Sequence, residues 1–466
     1  MNLPAQPSPE GAPPGVAASI GIRDQCTFHA SIDLMDETLR EGAERSGISP
    51  TLDEKYVLGR AIAGAGIRSM VVGMFPDVPH SIELLRVLLQ GQRRGEIAAD
   101  ARFLVISHVG ETFRETLRVL DSLDEPLDSV SIIVIHSVSD QQIRHLFPKI
   151  LMRAPEVAWD SEAWTAASNE ERRARNLDWL DGFLPETKRY RGGGIVLGLL
   201  DVFRAHPAQV KPFAELAARH GIRQIRLVDT AGTCMPQQIP SYVGDFVRSF
   251  PTNEFYCHFH DDFGMATGNA IAALAVGARG VDVSVGGFAN RAGHPALAEV
   301  AMALRDLYGV TLPGFRYSDL CALSRHAERT YGLIERATQP ITGVITHAVL
   351  AGIRTELMNE ARTIFDVIDP AVVGATLKRG FGIRSGKDGM LRTMKAYSSL
   401  LAEHGIEPTK EAADRYFGEV FAAWSARSRT VSQELKCAMD RYHLALARAE
   451  FSEEEVVQLI CSKAAS

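Results

Sequence analysis

The sequence lacks the features that mark membrane proteins, nucleic-acid-binding proteins and disulfide-stabilised proteins. Its 466 residues contain no uninterrupted apolar run of the roughly 18 residues that a membrane-spanning helix needs. It has no run of Lys and Arg, and 57 acidic residues outnumber 50 basic ones, so neither nucleic acid nor an anionic membrane is an expected partner. The six cysteines are scattered without a CxxC pair, which favours free thiols in a reducing cytoplasm over disulfides or a structural zinc site.

What the sequence has is an ordinary globular composition on a long chain. Hydrophobic residues make up 46% of it, so wholesale disorder is excluded. The length fits one large barrel with an appendage, or two to three domains. Residues 1–28 are expected to form a disordered tail rather than a targeting segment, because the first 15 residues carry five prolines and no apolar segment. A tail that docks onto a partner is the alternative.

From His29 onward, short apolar runs alternate with longer amphipathic stretches. Eight β-rich runs separated by helical patterns predict βα units on a parallel sheet. Eight such units over residues 29–315 predict an α/β fold, a (β/α)8 TIM barrel, which typically needs roughly 250 residues. The predicted strands are Ala30–Leu34, Ile67–Gly73, Phe103–Ser107, Val130–Ile135, Gly194–Leu200, Ile222–Val228, Phe255–His258 and Gly280–Val285.

The fourth crossover of the predicted barrel is unusually long. Between Ile135 and Gly194 lies a charged insert, residues 153–193, which carries Trp159 and Trp164. One or two extra surface helices are the favoured interpretation. A lid or a dimer contact is the alternative, because barrel insertions often build the rim of an active site.

After residue 315 the pattern changes to helices without intervening strands. Residues 316–466 are therefore predicted to form a mostly helical C-terminal region, with a looser stretch at Thr363–Gly386. The predicted helices are Asp319–Arg336, Ser385–His404, Lys410–Thr430 and Glu453–Cys461.

Two polar segments stand at the ends of the first and seventh predicted strands, namely Asp36–Gly42 (DETLREG) and His258–Gly264 (HFHDDFG). Alternate residues of a strand face the same side, so His258 and His260 point together. Barrel active sites lie at the carboxyl ends of the strands, and only strand eight separates strands one and seven, so Glu41 can reach both imidazoles. Two imidazoles and one carboxylate can hold a divalent cation and leave positions for water and substrate.

The same residues could be ordinary polar side chains of loops. For a single His-x-His pattern that interpretation is the more frequent one. The additional Arg40-Glu41-Gly42 sequence after the first strand favours the metal site instead.

At these two segments the sequence resembles the isopropylmalate/homocitrate synthase family. Leu39–Glu44 (LREGAE), followed by Lys55, is similar to the first family signature, Leu-Arg-acidic-Gly-x-Gln. Phe255–Gly268 (FYCHFHDDFGMATG) fits the second signature throughout. Both signatures are specific, and the resemblance covers about residues 29–430.

Further motifs extend the resemblance along the chain. Leu227–Gly232 (LVDTAG) is similar to the Asp-Thr-x-Gly motif of the sixth strand, and Asp201 with Arg204 resembles an acidic-x-x-Arg element after the fifth. Residues 368–374 (IDPAVVG) and 382–386 (GIRSG) look like the linker subdomain of these synthases.

The resemblance implies a wider superfamily of barrel metallolyases and Claisen-type synthases, which includes hydroxymethylglutaryl-CoA lyase. It implies that Glu41, His258 and His260 bind a divalent cation, Mg²⁺, Mn²⁺ or Zn²⁺. It implies acetyl-CoA as co-substrate, and a homodimer in which the linker of one subunit covers the barrel mouth of the other. The residues that it marks as catalytic are Arg40, Thr230 and His294, and those that it marks as substrate-binding are Arg40, Arg204, Thr230 and Asn290.

Several positions depart from the family pattern, and they bear on the substrate rather than on the metal. After strand eight the family reads Gly-x-Gly-Glu-Arg-x-Gly-Asn, whereas this chain reads GFANRAGH at residues 287–294. Asn290 therefore replaces a glutamate that assists the chemistry, and His294 replaces an asparagine near the metal. The other departures are Glu44 for glutamine, Val71 for an acidic residue, and Arg354 for a linker histidine that His347 could supply instead.

Three functions are compatible with these observations. The leading one is an acyltransferase that condenses acetyl-CoA, or another acyl-CoA, with a 2-oxo acid, because the metal and Arg40 can stabilise the alkoxide that forms. A retro-aldol or retro-Claisen lyase using the same metal is the second, and it would consume its substrate without acetyl-CoA. A barrel that only binds a ligand or partner is the third, and absence of bound metal would favour it.

Overall fold

The computed structural model describes residues 20–44, 49–76, 80–151, 161–334, 337–349, 367–383, 385–449 and 451–464. The chain divides into two compact units, with the boundary after Glu335. Most of the predicted tail and Arg354 of the predicted linker lie outside the described residues. The domain boundaries expected at residues 28 and 315 stay predictions.

In the first unit, eight parallel strands close into a barrel in sequence order, each bonded to the next and the eighth to the first. This confirms the predicted TIM barrel, and each predicted strand overlaps an observed one. The strands are β1 (Asp33–Asp36), β2 (Ser69–Met74), β3 (Arg102–His108), β4 (Val130–Ser137), β5 (Gly194–Leu200), β6 (Gln224–Asp229), β7 (Glu254–Phe259) and β8 (Gly280–Val283).

The first strand begins later than the predicted Ala30–Leu34, and its partner strand explains why. Asp33 pairs with Gly280, the first residue of β8, and Asp36 pairs with Val283, its last. The residues before Asp33 have no neighbour on β8, so the strand begins where pairing becomes possible.

Helices cover the outside of the barrel between the strands. The first of them starts at a capping box in which Thr51 and Glu54 bond reciprocally, and the last ends at Gly332 in the left-handed conformation. The helices are α1 (Leu52–Gly64), α2 (Ser81–Arg93), α3 (Glu111–Asp121), α4 (Asp140–His145), α5 (Phe147–Leu151), α6 (Ser161–Ala166), α7 (Asn169–Phe183), α8 (Pro207–Arg219), α9 (Ile239–Ser249), α10 (Ala266–Ala275), α11 (Leu297–Met302) and α12 (Leu320–Tyr331).

The long fourth crossover comprises helices α4 to α7 and has an apolar cluster of its own. Ile143, Phe147 and Trp164 are buried together, and Trp179 packs against them. Residues 152–160, which include Trp159, lie outside the described part of the chain. Whether the insert acts as a lid or a dimer contact stays a prediction.

Apolar side chains that alternate along the strands fill the barrel interior. Val71, at a position where the resembling family often has an acid, is fully buried in this core. The apolar core therefore continues through that position. The interior cluster consists of Met35, Val71, Leu104, Ile106, Ile133, Ile135, Val196 and Tyr256.

The second unit is mostly helical, but the expectation that it has no strands is wrong. Two short strands, β9 (Ala348–Val349) and β10 (Lys378–Arg379), pair in parallel. Segments of two residues are too short to show the alternation from which a strand is recognised. The α-helices in the described part of this unit are α13 (Lys387–Ala396), α14 (Ser398–Glu403), α15 (Lys410–Leu446) and α16 (Glu453–Ala464).

Among the described residues, no helix combines the length and the apolar character that crossing a membrane requires.

Candidate metal centre at the carboxyl ends of the strands

A fixed turn after β1 places Glu41 at the mouth of the barrel. The Thr38 backbone N–H and hydroxyl donate to the two carboxylate oxygens of Asp36, at 2.9 and 2.8 Å. The Val285 backbone N–H donates to the Thr38 hydroxyl at 2.8 Å, which ties this turn to the end of β8. Glu41 then opens the 3₁₀ turn Glu41–Glu44 and is only 4% exposed.

The structure brings the two histidines of β7 close to Glu41. His258 and His260 are both buried, and their Nε2 atoms lie 3.3 Å apart. His258 Nε2 lies 4.0 Å from Glu41 Oε1. His294, in the loop after β8, joins them, and the candidate ligand atoms of these four residues all lie within 4.8 Å of one another.

A buried network of charged side chains, which the sequence analysis did not single out, orients His258. His258 Nδ1 lies 2.6 Å from Asp282 Oδ2, and Arg226 donates to both Asp282 and Glu37. A proton on Nδ1 bonded to Asp282 leaves the Nε2 lone pair free on the side of Glu41.

This network also contains a second group that resembles a metal site, formed by Glu37, His258 and Asp282. The guanidinium of Arg226 lies within it, 2.9 Å from His258 Nδ1 and in contact with both carboxylates. The Arg226 guanidinium therefore already supplies the positive charge for these two carboxylates. The group around Glu41 is the candidate metal site.

Burial keeps the imidazoles neutral. It lowers the pKa of His260 and the pKa of His294 to about 3, and it lowers the pKa of His258 well below its usual range. Neutral imidazoles at physiological pH have the lone pairs that a metal ion needs, so no proton has to be displaced first.

The two carboxyl groups of the network differ in their pKa values. Burial favours the neutral form of Glu37, but Arg40 and Arg226 outweigh it and hold the Glu37 pKa at about 2. Burial raises the pKa of Asp282 to about 7, although Arg226 opposes the shift. Glu37 therefore stays ionised, whereas burial favours the protonated form of Asp282.

The donor set fits a divalent metal ion. It consists of one carboxylate and imidazole nitrogens, a combination typical of sites for transition metals and zinc. Neither His260 Nδ1 nor either ring nitrogen of His294 has a hydrogen-bond partner within the described residues. Buried polar atoms are normally satisfied, so these nitrogens are available to a ligand.

Arg40 lies beside the cluster and bridges three carboxylates. Its Nε donates to Glu37 at 3.0 Å, and its NH1 lies 2.8 Å from Glu41 and 3.3 Å from Glu44. Burial lowers the pKa of Arg40, but the three carboxylates outweigh that effect and raise it, so its charge is fixed. Arg40 therefore places a permanent positive charge at the edge of the candidate metal centre.

Asn290 contacts the same centre, and Thr230 follows the end of β6. The Asn290 backbone N–H donates to Glu41 Oε2 at 3.4 Å, and the Thr230 carbonyl accepts from Arg291 at 2.9 Å. The Thr230 hydroxyl oxygen is buried and has no hydrogen-bond partner among the described residues. A free hydroxyl is available to a substrate.

Arg204 has hydrogen-bond partners of its own after β5. Its Nε and NH2 donate to the two carboxylate oxygens of Asp201, each at 2.7 Å, and its NH1 donates to Gln141 at 2.5 Å. The structure thus places Glu41, His258, His260 and His294 together, and it gives Arg204 partners of its own after β5.

Two residues of this network, Arg226 and Asp282, were not predicted as part of the site. Both are charged residues within otherwise apolar strands. Arg226 lies in QIRLVD of β6 and Asp282 in GVDV of β8, and both are almost fully buried. A buried charge needs a partner, so two opposite charges in buried strands on either side of β7 were the available signal.

Comparisons with known proteins agree with this fold. The HMGL-like family model matches residues 31–326. A homocitrate synthase of Methanopyrus kandleri is 26% identical over 413 residues, 86% of this chain and 90% of that protein. A 2-phosphonomethylmalate synthase of Streptomyces rubellomurinus is 27% identical over 86% of this chain and 95% of that protein. The solved HMG-CoA lyase of Bacillus subtilis shares the fold, with a TM-score of 0.50 and 15% identity over 66% of this chain and 95% of that chain.

Proposed function

The chain belongs to the HMGL-like family, and from that premise we propose that it is an acyltransferase. The proposed reaction joins acetyl-CoA, or another acyl-CoA, to a 2-oxo acid in a metal-assisted Claisen-type condensation. The observation that carries this proposal is the buried group of Glu41, His258 and His260, with the fixed charge of Arg40 beside it. That arrangement suits a substrate whose keto oxygen gains negative charge.

The extent of the similarity to named synthases favours a synthase over a lyase. The relatives named homocitrate synthase and 2-phosphonomethylmalate synthase align over 86% of the chain, a share too large to fit before residue 326, where the family match ends. The similarity therefore continues into the helical unit. The HMG-CoA lyase covers only 66% of the chain.

In the proposed reaction, Glu41, His258 and His260 hold a divalent cation. The cation supplies Lewis-acid stabilisation of the charge on the keto oxygen of a 2-oxo acid. Arg40 contributes a second positive charge, and the unpartnered Thr230 hydroxyl donates to the substrate carboxylate. Arg204 and Asn290 are proposed substrate contacts as well, and His294 is a proposed participant in the chemistry.

The bond changes define what an assay must detect. The acyl-CoA loses a proton from the carbon next to its thioester, and that carbon forms a bond to the keto carbon. Hydrolysis of the thioester then releases free CoA thiol and makes the condensation irreversible. Release of thiol that depends on a 2-oxo acid is therefore the diagnostic signal.

The test is a panel of 2-oxo acids incubated with acetyl-CoA and with Mg²⁺, Mn²⁺ or Zn²⁺, in which free thiol is measured. Turnover with at least one acid, lost on exhaustive chelation, supports the proposal. Consumption of a substrate by carbon–carbon cleavage without acetyl-CoA would establish the lyase instead. Protein without bound metal and without turnover would favour a binding function.

His260→Ala tests the assignment of the metal ligands. The substitution removes one imidazole from a buried site, so bound metal should fall and turnover should be abolished while the fold persists. Metal content, thiol release and circular dichroism measure the three quantities. Full activity of this variant, or of chelated wild-type protein, would refute metal dependence.

We further propose a cytoplasmic homodimer. All six cysteines are free thiols, which suits a reducing compartment. The resemblance to the synthases supports the dimer, and the exposed helix α15 of the second unit offers apolar side chains for it.

A further inference from the structure

We infer that His294 is a third imidazole ligand of the metal, so that three nitrogens and one carboxylate hold the cation and the site favours Zn²⁺ over Mg²⁺. This inference rests on the metal site of the proposed function. It goes beyond that proposal because it adds a ligand and selects a class of metal.

The loop after β8 carries His294 back to the barrel mouth in a fixed conformation. Its backbone N–H donates to the Gly287 carbonyl at 3.1 Å, and the Asp261 N–H donates to the Gly293 carbonyl at 2.9 Å. Gly293 has φ of +115°, and a Cβ there would overlap the Gly287 carbonyl oxygen. Only glycine permits this backbone conformation at residue 293. The conformation of the loop, and not the rotation of a side chain, therefore brings the His294 imidazole to the barrel mouth.

The ring of His294 lies against both histidines of β7. Its centroid is 4.3 Å from that of His258 and 4.7 Å from that of His260, in edge-on orientations. With Glu41, the candidate ligand atoms of the set lie within 4.8 Å of one another. Metal–ligand bonds of about 2.0–2.2 Å place tetrahedral ligand atoms about 3.3–3.6 Å apart, and at most about 4.4 Å apart, so the widest pairs of the set would draw together around an ion.

His294 has no other partner in the described chain to account for its burial. It is only 2% exposed, and neither ring nitrogen forms a hydrogen bond within the described residues. Burial of a polar group without a hydrogen-bond partner is unfavourable. A cation between Glu41 and the imidazoles would satisfy one of these nitrogens.

The chemistry of the donors then selects the metal. Imidazole nitrogen suits zinc and the later transition metals, whereas Mg²⁺ requires oxygen ligands and retains water. Three imidazoles and one carboxylate around an ion make a nitrogen-rich site. An asparagine at the His294 position, as in the motif of the resembling synthases, would offer an amide oxygen in place of a third nitrogen.

The experiment counts imidazole ligands directly by X-ray absorption at the zinc edge. Zinc-loaded wild-type protein should give three imidazoles per zinc, and His294→Asn should give two. Calorimetric titration of the metal-free proteins should show at least about a tenfold loss of Zn²⁺ affinity in His294→Asn, and a smaller change for Mg²⁺. His220→Asn, which removes an imidazole bonded to Asp181 outside the cluster, should match the wild type.

The outcomes separate this inference from the proposed function. Two imidazoles in the wild type would overturn it even if His294→Asn failed to fold, because the wild-type spectrum needs no variant. Equal affinities of His294→Asn and wild type for Zn²⁺ would also overturn it. Three imidazoles without thiol release from any 2-oxo acid would retain the ligand assignment and reject the acyltransferase.

Discussion

Arg40 forms ion pairs with the carboxylates of the turn after β1. The geometry of these contacts allows the effect of a conservative substitution to be predicted. Arg40→Lys keeps the charge but loses the planar fork that contacts Glu37 and Glu41 at 3.0 and 2.8 Å. We expect kcat to fall roughly 10²–10³-fold, about 2.7–4 kcal/mol, as for other preorganised donors. Metal content should be nearly unchanged, because Arg40 is not a ligand.

The same contacts permit a purely structural role for Arg40, as a brace for the turn. That role predicts a lower melting temperature with nearly normal turnover, so kcat and Tm have to be measured on the same samples. Arg316→Lys is the matched control, since Arg316 is an exposed arginine paired with Asp319. A destabilised but normally active Arg40→Lys enzyme would show that the catalytic role is wrong.

Asp282 is the residue through which the buried network contacts His258, a proposed metal ligand. The 2.6 Å contact between His258 Nδ1 and Asp282 Oδ2 holds the ring in place. Asp282→Asn should weaken metal binding by roughly 10–100-fold, the usual effect of losing a carboxylate behind a ligating histidine. Calorimetric titration of metal into the chelated protein measures this.

Asp33→Asn is the control for Asp282→Asn. Asp33 is also a barrel carboxylate in a charged network, with Arg102 and Ser69, but it lies at the amino-terminal end of β1. It should leave the metal affinity at the wild-type value. Unchanged affinity in Asp282→Asn, or equal loss in both variants, would refute the orienting role.

At the scale of elements, the sequence was sufficient for the barrel because its strands are apolar runs at regular intervals. The predicted fifth strand, Gly194–Leu200, coincides with β5. The ends of β1 depend instead on its pairing with β8, a tertiary contact that the local sequence does not show. Helix α15 extends beyond the predicted Thr430 to Leu446, since no glycine or proline lies between them to end it.

The candidate site was predictable only where its residues lie in motifs. Glu41, His258 and His260 lie in two short segments whose chemistry is visible in the sequence. Arg226 and Asp282 are separated by 56 residues and meet only when β6 and β8 close the barrel around β7. A partner of that kind follows from strand order and register, not from local pattern.

The carboxyl end of β1 gives a pH-dependent prediction. Burial raises the pKa of Asp36 to about 7, although two bonds from Thr38 lower it. The unfolded value is about 3.9, so the folded state binds more protons between about pH 4 and pH 7. The stabilisation associated with this proton is complete below pH 4 and is lost as the pH rises through about 7.

Asp36→Asn should therefore remove part of the pH dependence of stability. The free energy of unfolding of the wild type, relative to the variant, should fall between pH 5 and pH 7 and level off above that range. Urea titrations of both metal-free proteins at several pH values measure the difference. A difference that does not vary with pH would refute the raised pKa.

At the scale of the whole molecule, the four candidate ligands all lie in the first unit, whereas the second unit has a long exposed helix. Helix α15 has 37 residues, about 55 Å, and only Ala413 of it is buried. Val431, Leu435 and Met439 recur every fourth residue and are 43%, 59% and 56% exposed. Residues at that spacing share one face, and an exposed apolar stripe typically marks an association surface.

The predicted homodimer can be tested on this stripe without disturbing the metal centre. Light scattering should give a dimer at assay concentration. Leu435→Glu combined with Met439→Glu should shift it towards monomer, because charges on the stripe would be desolvated and would repel their copies. Metal content should stay at the wild-type value, since Glu41, His258 and His260 lie in the other unit.

Lys436→Glu, a charge change on the same helix outside the stripe, should remain dimeric. A monomeric wild type with full activity, or a dimeric double variant, would show that this face does not hold two copies together.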